Sequence, residues 1–304
     1  MCRRWHVPDA AAEHDLGMTR IAHLSDLHLI EAAHARREPS QRVRLSLLSF
    51  GRRLDDQDRR RRLRRALHQY RTSGADHLVI TGDLTEDGTD TQFEVLAEVL
   101  ADSRIDPSEI TLTAGNHDAY TDREAFRRAL SGPLRDFAKT SAPNSLTVLN
   151  DVVIAPISTV IAQSVTRSAG AIALDELDHV ERTARRLKGS RRALVVAQHH
   201  QPYGYAVSAW NWIDGLQNHT SAMELLERHA EAHVLHGHRH HRADVSVAFH
   251  GPARVFGTTA CVEDSAPLRL YDVSDAQLWP VNTTQPSPPC SQPSATVSRS
   301  VSSQ

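Results

Sequence analysis

Five short segments of the sequence carry side chains that commonly bind metal ions. They are Asp26-Leu27-His28, Gly82-Asp83-Leu84, Gly115-Asn116-His117-Asp118, Gln198-His199-His200-Gln201-Pro202 and His236-Gly237-His238-Arg239-His240-His241. Carboxylate, imidazole and amide donors without cysteine suit borderline transition-metal ions such as manganese, iron, zinc or cobalt, rather than calcium or a cysteine-rich structural zinc. If the fold brings these segments together, the chain contains a metal site.

Each segment also has a plain structural explanation when it is taken singly. An aspartate often ends a strand, and glycine and asparagine favour turns because both tolerate left-handed backbone. A histidine-rich stretch can be a solvated loop. All five segments, however, come directly after a stretch of strand character, and the carboxyl ends of strands are the usual ligand positions in open α/β sheets. Their joint occurrence therefore favours function over coincidence.

The elements that position these segments can be predicted from hydrophobic periodicity. The predicted strands cover residues 20–24, 77–81, 110–114, 152–157, 193–198, 233–236, 245–249, 255–258 and 268–273. The predicted helices cover residues 59–70, 90–101, 123–130, 175–187 and 221–229, with Thr89 and Thr220 as expected capping residues. Strands that first alternate with helices and later crowd together predict an α/β fold with mixed sheets.

The five blocks SDLHL, GDLTEDG, GNHD, QHHQP and GHRHH resemble the signature blocks of the calcineurin-like metallophosphoesterases. The spacing of the blocks and the form of the fourth are most similar to the bacterial branch related to class III cyclic-nucleotide phosphodiesterases. The resemblance spans about residues 20–273. It implies a four-layer α/β/β/α sandwich that holds two metal ions at the edge of its sheets.

The ligands implied by the resemblance share one bridging aspartate, Asp83. The first ion would be bound by Asp83 with Asp26, His28 and His240, and the second by Asp83 with Asn116, His199 and His238. His199 and His240 are preferred to their neighbours His200 and His241 because they occupy the family positions. His200 is then expected to line the substrate side or to pack behind the site, and His23 and His236 to support the ligands.

The resemblance also implies a mechanism. Two cations about 3.5–4 Å apart lower the pKa of a bridging water and stabilise both oxygens in an in-line displacement at phosphorus. His117 would lie beside the leaving group, where an imidazole can donate a proton. Glu86 stands where many relatives carry an aspartate that pairs with this histidine, and Asp118 is the alternative partner.

We therefore expect a dinuclear metal-dependent phosphoester hydrolase that acts on phosphodiesters through a hydroxide bridging the metals. The expected substrate is a small molecule, for example a cyclic nucleotide or a glycerophosphodiester. A phosphomonoesterase or a nucleotide-lipid pyrophosphohydrolase is the alternative within the same class. A catalytically silent scaffold, or a nucleic-acid binder that uses an arginine-rich segment, would be a protein of a different class.

That arginine-rich segment follows the first block. Residues 36–65 contain twelve arginines and four acidic residues, and residues 31–62 are interpreted as a helical insertion or cap of a kind that some bacterial relatives carry. A solvated helical face is the expected role of its arginines. The alternatives are contact with anionic lipid or nucleic acid, or steering of phosphate substrates by positive potential. Part of the insertion is expected to overhang the metal site.

Four aromatic residues follow the fourth block: Tyr203, Tyr205, Trp210 and Trp212. Aromatic side chains at such a place could stack on a nucleobase. A packed loop or a dimer contact accounts for them equally well, and these structural roles are preferred. Cyclic-nucleotide hydrolysis is thus an expectation from the family and not from a base-binding motif.

The composition limits the remaining function classes. A chain with 40% hydrophobic and 24% charged residues can bury a core, and a net charge of −2 gives no overall attraction to nucleic acid, so nucleic acid is not an expected partner. The sequence has no apolar run of the roughly 20 residues that cross a bilayer, no secretory signal and only three distant cysteines, which favours the cytoplasm. We expect a flexible extension over residues 1–18, a single domain over 19–280 and a disordered Ser/Pro-rich tail over 281–304. A homodimer is left open.

Overall fold

The computed structural model describes residues 18–247 and 251–281 of the chain. Strands within these residues form two sheets. The strands are β1 (Thr19–Leu24), β2 (His77–Thr81), β3 (Ile110–Thr113), β4 (Thr147–Val148), β5 (Val152–Pro156), β6 (Ala193–Ala197), β7 (Ala232–His236), β8 (Ala243–Ser246), β9 (Ala253–Gly257), β10 (Arg269–Ser274) and β11 (Gln277–Pro280).

Helices connect most of the parallel strands. The α-helices are α1 (Pro39–Ser49), α2 (Asp56–Thr72), α3 (Asp90–Ser103), α4 (Ala125–Ser131), α5 (Ala138–Ser141), α6 (Leu174–Leu187), α7 (Ser208–Ile213) and α8 (His219–Arg228). Short 3-10 turns occur at Ala32–Arg36, Pro107–Glu109, His117–Ala119 and Arg135–Phe137.

Both sheets are mixed, and each has a parallel centre. The first sheet has the order β11-β10-β1-β2-β3, in which β1, β2 and β3 are parallel and β10 pairs antiparallel with β1. The second has the order β4-β5-β6-β7-β9-β8, in which β5, β6, β7 and β9 are parallel. Since parallel strands end at a common edge, the residues that follow β1, β2 and β3 start from one line, and those that follow β6 and β7 start from another.

Three apolar clusters hold the layers together. The central cluster joins the two sheets face to face, with Ile21 and Val79 of the first sheet against Val195 and Phe256 of the second. A second cluster packs α2, α3 and α4 on the outer face of the first sheet, and a third packs α6 and α8 on the outer face of the second. The predicted four-layer α/β/β/α sandwich is therefore confirmed.

All nine predicted strands are present, with bounds within about three residues of those expected. The short β4 and the edge strand β11 were not predicted. A two-residue turn at Asp275 and Ala276 joins β11 to β10, and both turn residues have positive φ, 50° and 58°. Such turns usually contain Asn-Gly or Asp-Gly. An aspartate-alanine pair therefore gave no hairpin signal.

The five predicted helices are also present, and Thr89 lies at the predicted N-cap position of α3. Thr89 makes no capping bond to α3, and its hydroxyl instead accepts a hydrogen bond from Arg37 at 3.2 Å. Thr220 lies inside α8, which begins at His219. Among the α-helices of the described residues, only α2 has a side-chain cap. There Asp55 accepts a hydrogen bond from the backbone N–H of Asp58 at 2.9 Å.

The predicted insertion over residues 31–62 contains one 3-10 turn, the whole of α1 and the first two turns of α2. Its helix α1 buries Leu45 and Leu48 and leaves Val43 and Leu47 exposed. Almost all of the predicted extension (1–18) and tail (281–304), and the end of the predicted strand 245–249, lie outside the described residues.

Candidate metal centre

Five loops meet where the parallel strands of the two sheets end. The loop after β1 is bonded to the loop after β2, because the N–H of His28 donates to the carbonyl of Asp83 at 2.9 Å. The loop after β7 is bonded to the loop after β6, because the N–H of Gly237 donates to the carbonyl of His199 at 3.1 Å. Backbone hydrogen bonds alone therefore hold these predicted site residues next to one another.

The backbone of these loops is unusual at the predicted ligands themselves. Five of the seven have left-handed φ values: Asp26 (55°), His28 (48°), Asp83 (47°), His238 (68°) and His240 (54°). Aspartate and histidine are among the few residue types that adopt this region with some frequency, but each such position still costs about 1–3 kcal/mol. The surrounding structure must hold these residues in place, which is typical of functional sites.

Two glycines allow the loops to approach one another closely. A Cβ at Gly115 would collide with the carboxylate and backbone of Asp83. A Cβ at Gly237 would collide with the hydroxyl of Ser25 and come within 2.6 Å of the Asp26 carboxylate. This explains why a glycine precedes Asn116 in the third block and His238 in the fifth.

Asp83 lies at the centre of the site. Its Oδ2 is 3.3 Å from Nε2 of His199, 3.8 Å from Nε2 of His28 and 4.0 Å from Nε2 of His117. Its Oδ1 accepts the backbone N–H of His117 at 2.9 Å. Although burial opposes ionisation, His199 and His117 hold the pKa of Asp83 well below its usual range. The side chain is therefore a buried carboxylate with imidazoles on several sides.

We call Asp26, His28 and His240 subsite one. Nε2 of His240 is 3.3 Å from Oδ1 of Asp26, and the rings of His28 and His240 have centroids 5.6 Å apart. One ligand atom from each of the three residues lies within 4.8 Å of the other two. Burial and the nearby Arg52 hold the pKa of His28 well below its usual range, so the ring is neutral, as a metal ligand must be.

We call Asn116, His199 and His238 subsite two. Nδ1 of His199 donates to the carbonyl of Thr81 at 2.8 Å, so Nε2 is the ring atom that faces Oδ1 of Asn116 at 3.1 Å and Oδ2 of Asp83 at 3.3 Å. Although burial opposes protonation, the Asp83 carboxylate raises the pKa of His199 to about 9, so Nε2 carries a proton that a metal ion would displace. The Asn116 amide is oriented by its own Nδ2, which donates to the hydroxyl of Tyr120 at 3.1 Å. Nε2 of His199 and Oδ1 of Asn116 therefore lie side by side, as two ligands of one cation would.

His238 is held from the other side by Asp214. Its Nε2 lies 2.9 Å from the backbone carbonyl and 3.0 Å from Oδ1 of that residue, so Nε2 carries the proton. Nδ1 is then the ring atom available to a metal. The His238 ring lies 5.2 Å from the ring of His199, and its backbone N–H donates to the Asp26 carboxylate at 3.2 Å.

The donor set fits a cation on two observations besides its composition. Oδ1 of Asp26 and Nε2 of His28 are buried and have no hydrogen-bond partner among residues 18–247 and 251–281. A buried polar atom left unpaired costs about 1–3 kcal/mol, and a metal ion between such atoms would compensate for that cost. A second group of ligand atoms within 4.8 Å of one another comes from Asp26, Asp83 and His199. The residues present therefore fit metal ions.

His117 lies at the rim of the site. Its Nδ1 donates to the backbone carbonyl of Glu86 at 2.7 Å. The sequence predicted Glu86 as the partner of His117, but the contact is made by the main chain of Glu86 and not by its carboxylate. The Glu86 carboxylate lies 4.0 Å from Nδ1 and does not make this bond. Nε2 of His117 faces the Asp83 carboxylate and can bind the second proton of the ring.

The Glu86 carboxylate is buried under subsite one and belongs to an ionic cluster. Arg52 donates to its Oε1 at 2.8 Å and Arg59 to its Oε2 at 2.5 Å. Arg59 also donates to the backbone carbonyl of His28, and the carboxylate lies 3.6 Å from Nδ1 of His28. Glu86 thus contacts His117 through its backbone carbonyl, while its carboxylate lies closer to His28 than to His117.

Asp118 is not a partner of His117 in the structure. Its carboxylate accepts the backbone N–H groups of Leu84, Thr85 and Gly115 at 3.0, 2.8 and 2.8 Å. It therefore fastens the loop after β2 to the loop after β3. Burial and the nearby Asp83 carboxylate raise the pKa of Asp118 to about 7.

The arginine-rich segment is only partly the solvated face that its composition predicts. Arg37 and Arg44 bind the buried carboxylate of Asp87 at 2.7 and 3.2 Å. Together with Arg52 and Arg59, they tie the segment to the loop after β2. As expected, the segment reaches the site, since an amino group of Arg52 lies 3.5 Å from Nδ1 of His28. Other arginines of α2, including Arg61 and Arg64, form exposed ion pairs.

The neighbours of the predicted ligands fall outside the ligand set. His200 packs behind the site, because its two ring nitrogens bond Thr159 and Ser168, both at 2.7 Å. His241 is exposed. His236 and His23 are buried beside the loops, where His236 contacts the carbonyl of Gly237 and His23 the hydroxyl of Thr81.

The aromatic residues after the fourth block divide into two pairs. Tyr205 donates to the Asp214 carboxylate and lies under the guanidinium of Arg239, 4.8 Å from the ring centroid, so it helps to hold the support of His238. Tyr203 packs near His236. Trp210 and Trp212 are exposed, and Arg167 covers the Trp212 ring at 4.1 Å.

Sequence reasoning missed two supporting residues, Asp214 and Tyr120. Asp214 lies in the aromatic stretch after the fourth block, where attention went to the rings. Tyr120 follows the third block by two residues, and its hydroxyl joins Asn116 to the backbone carbonyl of Arg167 at 2.9 Å. The contact of Asp214 with His238 has no spacing signal, because it depends on how distant loops pack. Tyr120 is only four residues from Asn116, so a local signal for that contact was available.

Among the described residues, every helix is too short or too polar to cross a lipid bilayer.

Comparisons with known proteins agree with this geometry. The family model of the calcineurin-like phosphoesterases matches residues 19–242. Among solved structures, a dimetal phosphatase from Danio rerio has a TM-score of 0.59 at 13% identity, with 84% of this chain and 93% of that one covered. The protein TT1561 of Thermus thermophilus has a TM-score of 0.52 at 13% identity, with 87% and 99% covered. The search of curated proteins found no match.

The two structural likenesses support the fold, and the family match supports the chemistry of the loops. The match includes all five blocks and every residue of both subsites. The chain therefore belongs to the calcineurin-like phosphoesterase family.

Proposed function

We propose that the protein is a dinuclear metal-dependent phosphodiesterase whose metal ligands are Asp83, subsite one and subsite two. The observation that carries this proposal is the arrangement of the His28 and His199 imidazoles and the Asp26 carboxylate around the Asp83 carboxylate. Asp26 Oδ1 and His28 Nε2 are buried there and accept no hydrogen bond from the described residues. Asp83 separates the two subsites and is the residue suited to contact both ions. Their identity as manganese, iron or zinc is open.

Two ions bound there would lower the pKa of a water and offset negative charge at phosphorus. The protein's own residues prepare the site for this. Thr81 fixes the His199 ring with Nε2 facing inward, and Asp214 fixes the His238 ring with Nδ1 free. These contacts set the tautomer of each ligand in advance, which lowers the cost of metal binding.

His117 is proposed to protonate the leaving oxygen. Its Nδ1 is committed to the carbonyl of Glu86, so a second proton must reside on Nε2, the atom that faces the Asp83 carboxylate. The His117 side chain is at the rim and is not fully buried, so it can reach a substrate oxygen. We assign Glu86 a positioning role through its carbonyl.

A diester is the proposed substrate because the cationic groups beside the site are already paired. Arg52 binds Glu86, and Arg239 binds Asp214 at 3.3 Å. A monoester carries one more negative charge than a diester at neutral pH and would need a further cation. The family branch that the five blocks resemble gives the same expectation. A small soluble diester and a cytoplasmic location complete the proposal.

Hydrolysis of bis(p-nitrophenyl) phosphate in the presence of Mn²⁺ tests the reaction, with p-nitrophenyl phosphate as the monoester comparison. His117→Gln should lose most of kcat while both metals stay bound, as measured by metal analysis of the purified protein. Asp102→Asn, which changes an exposed carboxylate in an ion pair of α3, is the matched control and should be unaffected.

Full activity of His117→Gln would contradict the role of this residue. Wild-type protein that binds metal but prefers the monoester would replace the phosphodiesterase assignment with the phosphomonoesterase. Wild-type protein that binds metal and hydrolyses neither ester would favour a silent scaffold. A panel of cyclic nucleotides, glycerophosphodiesters and nucleotide-linked lipids would then identify the substrate class.

A further inference from the structure

Helix α1 has an apolar stripe on its solvent side. Val43 is 61% exposed, Leu47 is 63% exposed and Phe50, at the carboxyl end of the helix, is 91% exposed. Val43, Leu47 and Phe50 are spaced by about one helical turn each, so they line one side of the helix. The opposite side already contributes Leu45 and Leu48 to the protein interior. The stripe is therefore additional to the core-facing side.

Unpaired arginines flank this stripe. Arg36, Arg42 and Arg53 are exposed and make no ion pair with any residue in the described part of the chain. The other three arginines of residues 31–54 are used internally, on Glu31, Asp87 and Glu86. Residues 36–53 contain a single acidic residue, the exposed Glu38, so the segment presents a net positive charge next to apolar side chains.

An open groove of about 560 Å³ lies beside the stripe. Its lining includes His34, Pro39, Arg42, Val43, Leu45 and Leu54. Aliphatic side chains form much of this lining, with a guanidinium among them. A groove of this character suits a lipid, which combines an alkyl chain with a phosphate.

We propose that α1 and the turn after it, residues 36–53, form a docking surface for an anionic phospholipid bilayer. Apolar side chains on one side of a helix, flanked by arginines, are the pattern of helices that lie in a membrane interface. Phe50 and Leu47 would enter the boundary between headgroups and acyl chains. Arg36, Arg42 and Arg53 would contact lipid phosphates.

The charges favour a bilayer over the other possible occupants. A second copy of the chain docked through the same surface would set Arg36, Arg42 and Arg53 against like charges, which is unfavourable. Nucleic acid would match the charge and could stack one base on Phe50, but the aliphatic side chains of Val43 and Leu47 would then stay exposed to water. An anionic bilayer satisfies both the arginines and the aliphatic side chains.

The docking surface lies close to the candidate metal centre, because one of its residues contacts that site. Arg52 lies within the docking segment and contacts both Glu86 and His28. Docking would therefore hold the site near the membrane surface. The docking proposal stands independently of the catalytic one, because the surface contains none of the predicted ligands.

Co-sedimentation of the full chain with vesicles tests the proposal. Vesicles of phosphatidylcholine alone are compared with vesicles that also contain phosphatidylglycerol. We expect binding only to the anionic vesicles, and binding that weakens as salt is added. Each basic residue near an anionic surface changes the partition coefficient about fivefold, so Arg36→Gln, Arg42→Gln and Arg53→Gln together should reduce it on the order of 100-fold.

The apolar part is tested with Leu47→Gln and Phe50→Asn together. Asparagine is chosen because Phe50 has a left-handed φ of 43°, which asparagine tolerates. Loss of the phenyl ring alone should weaken binding at least about tenfold. The matched control is Leu174→Gln, which removes a side chain that is 78% exposed at the start of α6. Arg135→Gln, Arg185→Gln and Arg191→Gln together match the change in charge.

The proposal holds if both variants of the segment lose binding while both controls keep it. Equal binding to neutral vesicles, no binding by the wild type, or unchanged binding by the segment variants would overturn it. A dimer that Leu47→Gln and Phe50→Asn dissociate in sedimentation equilibrium would assign the surface to a second copy. Tight RNA binding that the arginine variant alone abolishes would assign it to nucleic acid. Vesicle binding without hydrolysis of any ester would instead leave docking intact and refute the catalytic proposal.

Discussion

The two subsites use similar donors but are supported in different ways. Behind His28 in subsite one lies a buried ionic cluster, in which Arg52 and Arg59 bind the Glu86 carboxylate. Behind subsite two lie single hydrogen bonds, from His199 to the carbonyl of Thr81 and from His238 to Asp214. The first support is charged and mostly buried, with Glu86 and Arg59 inaccessible to solvent. The other consists of a backbone carbonyl and a partly exposed carboxylate.

This difference shows that ligand chemistry does not dictate how ligands are held. Removing one partner of a buried ion pair leaves the other charge without compensation, whereas an exposed or backbone bond is partly replaced by water. Subsite one should therefore respond to mutation as a unit with the fold. Subsite two should respond locally, through its metal alone.

The largest effect is expected where the two subsites meet. Asp83→Asn keeps the left-handed backbone and the size of the side chain but removes the charge that both ions would share. Loss of several kcal/mol of metal-based stabilisation corresponds to a decrease in kcat/KM on the order of 10³-fold or more. Metal analysis should show that both ions are weakened. Retention of one tightly bound ion would show that the subsites do not share this residue.

Arg59→Met should have the next largest effect and should distinguish the supports. Breaking the buried pair with Glu86 is expected to lower the free energy of unfolding by about 3–5 kcal/mol. The matched control is Arg60→Met on the same helix, whose partner Glu98 is mostly exposed, with an expected cost of about 0–1 kcal/mol. Urea denaturation measures both. Equal costs would mean that the buried cluster does not support subsite one.

Asp214→Asn should weaken one metal ion with little change in stability. The backbone carbonyl of residue 214 can still accept the His238 proton, so the loss is limited to the contribution of the carboxylate. Replacement of a group that orients a metal ligand typically costs about 10–100-fold in affinity, and we expect the lower end. Metal titration followed by calorimetry should show one weakened site and one unchanged site. Two weakened sites would remove the distinction between the supports.

Tyr120→Phe should have the smallest effect. It removes one hydrogen bond to the Asn116 amide, which is worth about 1 kcal/mol, and thus a change of about fivefold in affinity at the same ion. Because the Asn116 amide could then rotate, KM and the preferred metal are the quantities to measure. An effect larger than that of Asp214→Asn would reverse the ranking of the two supports.

Much of the site could be predicted because its information is local. A strand, a glycine and a ligand follow one another in the sequence, and the strand ends fix where the ligand stands. The supports are not local. Arg59 reaches Glu86 from the first turn of α2, and Asp214 reaches His238 across two loops. Contacts between side chains so far apart in the sequence produce no periodicity or spacing from which they could be predicted.

The fold shows the same limit at smaller scale. The strands that the core buries on both faces were predicted because they are continuous apolar runs. The edge strand β11 was not predicted because an aspartate-alanine pair is not a typical sequence for a hairpin turn. Glu86 shows a correct and a missed prediction in one residue. The sequence predicted that Glu86 contacts His117, but it did not predict that the backbone carbonyl, and not the carboxylate, makes the contact.

The left-handed backbone at five of the predicted ligands has an evolutionary consequence. Asparagine suits that conformation as well as aspartate or histidine does, and one base change converts an aspartate or histidine codon into an asparagine codon. Such a change would remove a carboxylate charge or an imidazole from the site, weaken metal binding and leave the loops intact. Genes for proteins of this design can thus drift to well-folded, inactive descendants in a single step, and asparagine at positions 26, 28, 83, 238 or 240 would be the mark of that history.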